Sequence, residues 1–155
     1  MRARAGRNAS SGVETGWKSG ALTMSLAPLL NAAPAIPFHA FAAMAAFALG
    51  VVQLVAPKGT LPHRTIGWIW VGLMLTVAGS SFWIHQSRLI GPWSPIHLLS
   101  IFTLVIVPLG VWKAHRHQVA DHRRIMIFTF SGALVIAGLF TLVPGRIMHA
   151  VLFGG

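Results

Sequence analysis

The stretch PFHAFAAMAAFALGVVQLVA, residues 37–56, holds no charged side chain. It is about the length needed to cross a hydrocarbon core of roughly 30 Å. It returns in outline at residues 95–112, PIHLLSIFTLVIVPLGVW, again with a histidine two positions after a proline. Two further apolar stretches lie between and after, at 66–84 and 125–143. In lipid every backbone polar group must find its partner inside the protein, so stretches of this length read as helices. The expected spans are therefore about 38–56, 66–84, 95–112 and 125–143.

Composition agrees with that reading. Of the 155 residues, 55% are hydrophobic and 9% charged, where a soluble domain carries about 25% charged residues. So few charges cannot clothe a water-facing surface. The net charge of +10 would suit nucleic acid in another setting. Here the basic residues sit in short clusters between apolar runs, as membrane proteins place them, and no nucleic-acid partner is expected. There is no cysteine, and Glu14 and Asp121 are the only acids. Thiolate chemistry, paired-carboxylate catalysis and an acidic calcium site are excluded.

Residues 1–23 are basic, rich in Gly and Ser, and without apolar period, so they read as a disordered tail. Met24 is a second candidate start. Residues 24–155 form the membrane domain. The breaks between spans carry turn residues: APKGTLP at 56–62, RLIGPWSP at 88–95 and HRHQVAD at 115–121. Pro62 suits a first helical turn, and Asp121 an N-cap ahead of Ile125. Trp68, Trp70, Trp83, Trp93 and Trp112 fall near span ends, as an aromatic belt would. Lys58, Arg64, Lys113, Arg116, Arg123 and Arg124 gather at the first and third loops. Arg88 and Arg146 lie on the other side, joined by Arg2, Arg4, Arg7 and Lys18 if the tail is present. With the tail inert, loops one and three are expected in the cytoplasm of a bacterial inner membrane and both termini in the periplasm.

The spacings suggest a duplication. Pro37-Phe38-His39 aligns with Pro95-Ile96-His97, His63-Arg64 with His122-Arg123, and Gly79 with Gly138. Such a chain is an all-α, four-helix transmembrane bundle built from two parallel-repeated helical hairpins. His39 and His97 then share one level, His63 and His122 the other. His39 lies on one helical face with Ala42, Ala46 and Gly50, so it points into the bundle. Gly72, Thr76 and Ser80 form a similar row on the second helix.

Four segments carry a family likeness: HRTIGWIWVGLML at 63–75, SPIHLLSIFTLV at 94–105, DHRRIMIFTFSGALVIAGLFT at 121–141 and PGRIMHAVLFG at 144–154. Over about residues 26–153 the chain resembles the bacterial predicted membrane proteins grouped as domain of unknown function 2306. The resemblance implies a four-helix integral membrane protein that begins near Met24, and no particular activity.

The chemistry offers two classes. One is a structural or accessory membrane subunit that contacts lipid and a larger complex. Its interfacial histidines anchor helix ends, and Arg64, Arg123 and Arg124 meet anionic headgroups. The other is a small redox protein, haem b-binding or quinone-linked, with His39 and His97 as the ligand pair. Arg146, which lacks an acidic neighbour in sequence, would then face a propionate or a phosphate. A metal site from His39, His97, His85 and His149 lacks H-x3-H spacing. One from His115, His117 and His122 sits among arginines that repel a cation. No metal is expected. Transport is disfavoured, since no charge falls inside a span and only Pro108 interrupts one.

Overall fold

The computed structural model describes residues 24–84 and 95–153. Its elements are α1 (Ala27–Leu30), α2 (Ala35–Val55), α3 (Leu61–Ser80), α4 (Pro95–His115), α5 (Val119–Thr129), α6 (Ala137–Phe140) and α7 (Ile147–Phe153). A 3₁₀ turn over Ser81–Trp83 extends α3, and a π-helical stretch over Phe130–Ile136 joins α5 to α6. No strand occurs among the described residues. Four helices are long and apolar enough to span a membrane: Ala35–Val55, Leu61–Trp83, His97–His115 and Val119–Phe140. The basic tail at 1–23, with Trp17, and the segment holding His85, Arg88 and Trp93 lie outside the described residues.

Local chemistry sets the helix ends. Gly59 takes the left-handed conformation, φ 78°, which a residue without Cβ adopts at little cost. Thr60 then caps α3, its hydroxyl accepting from the His63 N–H at 3.3 Å, and Pro62 occupies the first turn, where its missing N–H loses nothing. The other sharp turn places His117 at φ 58°. Here the chain departs from expectation. The fourth span starts at Val119, and Asp121 lies in its first turn instead of capping it. An acid there faces the positive end of the helix dipole, and Asp121 also pairs with Lys113 at 3.0 Å. Pro108 leaves α4 unbroken from Pro95 to His115. Removing one backbone donor is tolerated in membrane helices, where neighbours satisfy the freed carbonyl.

The helices run up, down, up, down. Trp70 donates to the Ala46 carbonyl and Gln53 to the His63 carbonyl, which ties α2 to α3. Ser81 bonds Ser100 between α3 and α4, and the His122 ring bonds the Gly110 carbonyl between α5 and α4. The π-helical stretch packs back on α2, closing the ring. The core between them is Ala46, Trp70, Val71, Met74, Val107, Phe130 and Leu134.

The inward side of α2 is the foreseen row of Ala42, Ala46 and Gly50, all buried. Gly50 is where the chains come closest. A Cβ there would sit 2.5 Å from the Phe130 ring and 3.0 Å from the Trp70 indole nitrogen. Gly110 has the same role on α4, where a Cβ would strike Met126 and Ile125. Small residues inside and large apolar ones outside is the packing lipid favours, since close backbone approach and dispersion replace the hydrophobic drive. Phe38, Phe41, Phe102, Val105, Phe128 and Leu139 are all exposed on the outer surface.

Two expectations about α3 need correcting. Trp70 is a core residue, 5% exposed, not a belt tryptophan, because its N–H finds a carbonyl inside the bundle. The buried row on this helix is Trp70, Met74 and Ala78. Gly72 is exposed and Thr76 half-buried, so their row turns to the flank.

One end of the bundle, the cap end, carries two short helices. Ser25 donates its backbone N–H to Val151 at 3.1 Å, and Leu29 and Val151 are buried where α1 meets α7. The opposite end, the loop end, holds the turns at Gly59 and His117.

Candidate functional site

Among the described residues most buried polar side chains gather toward the cap end, Thr129 being the exception. Helix α4 turns His97, Ser100 and Thr103 inward, at 8%, 5% and 3% exposure. The spacing of three keeps them on one face. Ser81, at the end of α3, meets Ser100 side chain to side chain and also donates to the Ala78 carbonyl. One residue earlier, Ser80 meets His39 of α2, Oγ to Nδ1, at 2.9 Å. One residue later, the Phe82 ring lies 5.7 Å from the His97 ring, centre to centre. The last turn of α3 thus stands between the two histidines and touches both.

The Ser80 hydroxyl lies between the His39 ring and a backbone carbonyl. The single hydroxyl proton of Ser80 goes to the Val77 carbonyl at 3.1 Å. With that proton so placed, the hydroxyl oxygen is left to accept from the Nδ1–H tautomer of His39. The Val77 carbonyl, also within reach of the imidazole, can only accept. The neutral ring then has its lone pair on Nε2.

The second level groups His63, His122 and Gln53 at the loop end. His122 bonds the Gly110 carbonyl through Nδ1 at 2.9 Å, and His63 lies within its electrostatic reach. Gln53 donates to the His63 carbonyl at 2.8 Å. Gln53 Oε1 and His63 Nδ1 are buried without a hydrogen-bond partner, as is Thr129 Oγ1. Unpaired buried polar atoms cost more than paired ones contribute, so among the described residues this end carries that cost. Arg64 and Arg123 are exposed beside it. Trp112 is covered by two cations, with Lys113 Nζ at 5.6 Å and Arg116 Cζ at 5.2 Å from its ring centre.

Arg146 is exposed at the cap end. It follows Gly145, whose φ of 85° turns the chain into α7. His149, in α7, bonds the Leu142 carbonyl at 2.9 Å and packs on Phe153. No three His, Asp or Glu side chains among the described residues are grouped to hold a metal.

A haem held by His39 and His97 needs both imidazoles to aim Nε2 at one iron across a flat slot. His39 has one ring nitrogen, Nδ1, engaged by Ser80. The end of α3 touches both rings, through Ser80 and Phe82, and the two grooves on the flank between α2 and α3 are lined by neither ring. The sequence places Ser80 in a row with Gly72 and Thr76 and gives Ser81 no sign beyond its polarity within a span. It does not show that they link three helices, because a serine shows no sign in sequence of which neighbour it will bond. Nor does it show the π-helical stretch, which has no sequence mark here.

No curated protein and no solved structure matches the chain. A family model described as "Predicted membrane protein (DUF2306)" matches residues 36–153. That match runs from the first turn of α2 through α7, and the chain belongs to this family of predicted membrane proteins.

Proposed function

We propose that this protein is an accessory subunit of a bacterial inner membrane, a scaffold in lipid that joins a larger membrane complex. The observation that carries the proposal is where its interior polar groups are directed. Trp70, Ser81, Ser100, Gln53 and His122 spend their hydrogen bonds fastening one helix to the next. One serine meets a histidine, Ser80 with His39, but its hydroxyl donates to the Val77 carbonyl, so among the described residues the interior supports assembly better than turnover. The apolar outer surface of all four spans is left for lipid and partner helices.

The orientation proposed is loop end in the cytoplasm and cap end in the periplasm. Lys58, Arg64, Lys113, Arg116, Arg123 and Arg124 cluster at the loop end, which supports it. Arg64 and Arg123 sit in the first turns of helices, where the dipole disfavours cations. Anionic headgroups of the cytoplasmic leaflet offset this. The two-hairpin duplication is part of the same proposal. It is supported by His39 and His97 lying near the starts of α2 and α4, and by His63 and His122 near the starts of α3 and α5.

The test is purification from native membranes in a mild detergent. The expected result is co-migration with a partner in fixed stoichiometry and no Soret absorbance. A monomer with a Soret band that disappears in His39→Ala would replace this reading with the redox one.

A further inference from the structure

Helices α3 and α4 each carry a tryptophan and an arginine four residues apart at the loop end. Trp68 follows Arg64 on α3, and Arg116 follows Trp112 at the end of α4. Four residues make about one helical turn, so each pair shares a face, with about 6 Å between its members along the axis. The two helices run in opposite directions. In both pairs the arginine is therefore nearer the membrane surface and the tryptophan deeper. Arg116 keeps this register although α4 ends at His115, because its N–H still bonds the Trp112 carbonyl at 3.0 Å. All four side chains are exposed, Trp68 at 58% and Trp112 at 48%.

The two pairs belong to one flank. The Trp68 ring meets the His115 ring of α4 edge-on, with 6.3 Å between centres, one residue before Arg116. Below Trp112 the same face of α4 continues through Leu109, Val105, Phe102 and Leu98, all exposed. An apolar stripe that begins at a cationic rim has the profile of a phospholipid, headgroup at the surface and acyl chain beneath. Arg116 is also held in place. Its Cζ lies 5.2 Å from the Trp112 ring centre, and a guanidinium covering a ring can still offer its N–H edge to two phosphate oxygens. Asp121 already pairs with Lys113 at 3.0 Å, which offsets the repulsion an acid would offer an anion here.

We infer that this flank holds one anionic phospholipid, its phosphodiester seated between Arg64 and Arg116 and an acyl chain lying along Trp68, Trp112 and the stripe beneath. The inference rests on the reading that the loop end meets anionic headgroups, and it narrows a diffuse attraction to a single site. A zwitterionic lipid carries an ammonium beside its phosphate and gains less from two guanidiniums. Free phosphate has the charge but no chain for the stripe. The occupant is therefore the anionic lipid.

The experiment is native mass spectrometry of the full chain, released from a neutral detergent after titration with phosphatidylglycerol or phosphatidylcholine. A single saturable phosphatidylglycerol adduct is expected, with phosphatidylcholine weaker by about fivefold or more. Arg64→Gln and Arg116→Gln should each weaken phosphatidylglycerol binding by about fivefold, the attraction of one basic residue to an anionic membrane surface. Trp112→Leu keeps every charge and should weaken it by about twofold to fivefold, the range of an exposed cation–π contact. Lys58→Gln removes the same charge from the same end. The Lys58 ammonium is turned to the Leu54 carbonyl of α2 at 2.7 Å, so this variant should bind as the wild type does. Arg116→Lys keeps the charge without the fork, should fall between wild type and Arg116→Gln, and keeps the test sound if Arg116→Gln does not fold. Equal affinity for the two lipids would overturn the inference. So would a loss in Lys58→Gln as large as that in Arg116→Gln, or displacement of the lipid by inorganic phosphate at equal concentration. Co-purification with a partner from native membranes is a separate measurement, so the accessory reading stands or falls apart from these results.

Discussion

Trp70 reaches across the centre of the bundle and donates its indole N–H to the Ala46 carbonyl at 2.9 Å. Ala46 is fully buried, and the small side chain lets the larger ring reach the backbone. Trp70→Phe keeps most of the ring and removes the donor. Interhelical hydrogen bonds in membrane proteins average about 0.6 kcal/mol and reach about 1.7. The variant should lose stability in that range, read as a lower denaturation midpoint in detergent. No loss would mean that the indole bond adds nothing to the packing.

Gly50 faces Phe130, which also stacks on Phe47 with ring centres 5.5 Å apart. Gly50→Ala should destabilise by about 1–3 kcal/mol through overpacking. Phe130→Leu in the same chain should restore part of that loss, since it removes the atoms that collide. Gly72→Ala, with nothing within 4 Å of the added carbon, serves as the neutral comparison. Equal effects at positions 50 and 72 would contradict the packing described.

Ser81 and Ser100 share one buried bond between α3 and α4. Each is also in reach of other groups, Ser81 through the Ala78 carbonyl. Ser81→Ala and Ser100→Ala should be non-additive, with a coupling of about 0.5–1.5 kcal/mol in a double-mutant cycle. Simple additivity would separate the two hydroxyls.

The Lys113–Asp121 pair is partly exposed, 24% and 46% at the two side chains. Exposed ion pairs contribute about 0–1 kcal/mol and weaken with salt. Asp121→Asn should therefore shift stability little at low salt and less at high salt. A large, salt-independent loss would show that Asp121 matters through some other contact.

The chain has no cysteine, so single cysteines can be introduced on a clean background. Membrane-impermeant labelling should reach positions 31 and 146 from one face and positions 58 and 116 from the other. The proposed orientation puts the first pair in the periplasm. Labelling positions 31 and 58 from the same side would contradict the crossing of α2.

What the sequence determined about this protein is its solvent and its crossings. Apolar runs of membrane length force helices, because lipid offers the backbone no partner. Each break shows in local residues such as Gly59 and Pro62. The inward row Ala42, Ala46, Gly50 was legible too, since small residues recur at helical period. Tertiary structure alone decided what each polar or aromatic side chain meets. Trp70 and Trp83 look alike in sequence, yet one fills the core and the other lines a groove. The start of the fourth span was equally hidden, because Asp121 could cap a helix or sit in its first turn. The partner of His39 depends on where α3 ends against α2, at Ser80. Periodicity reports which face a residue occupies; the bond it makes depends on the helix brought opposite, and a single helix carries no record of that.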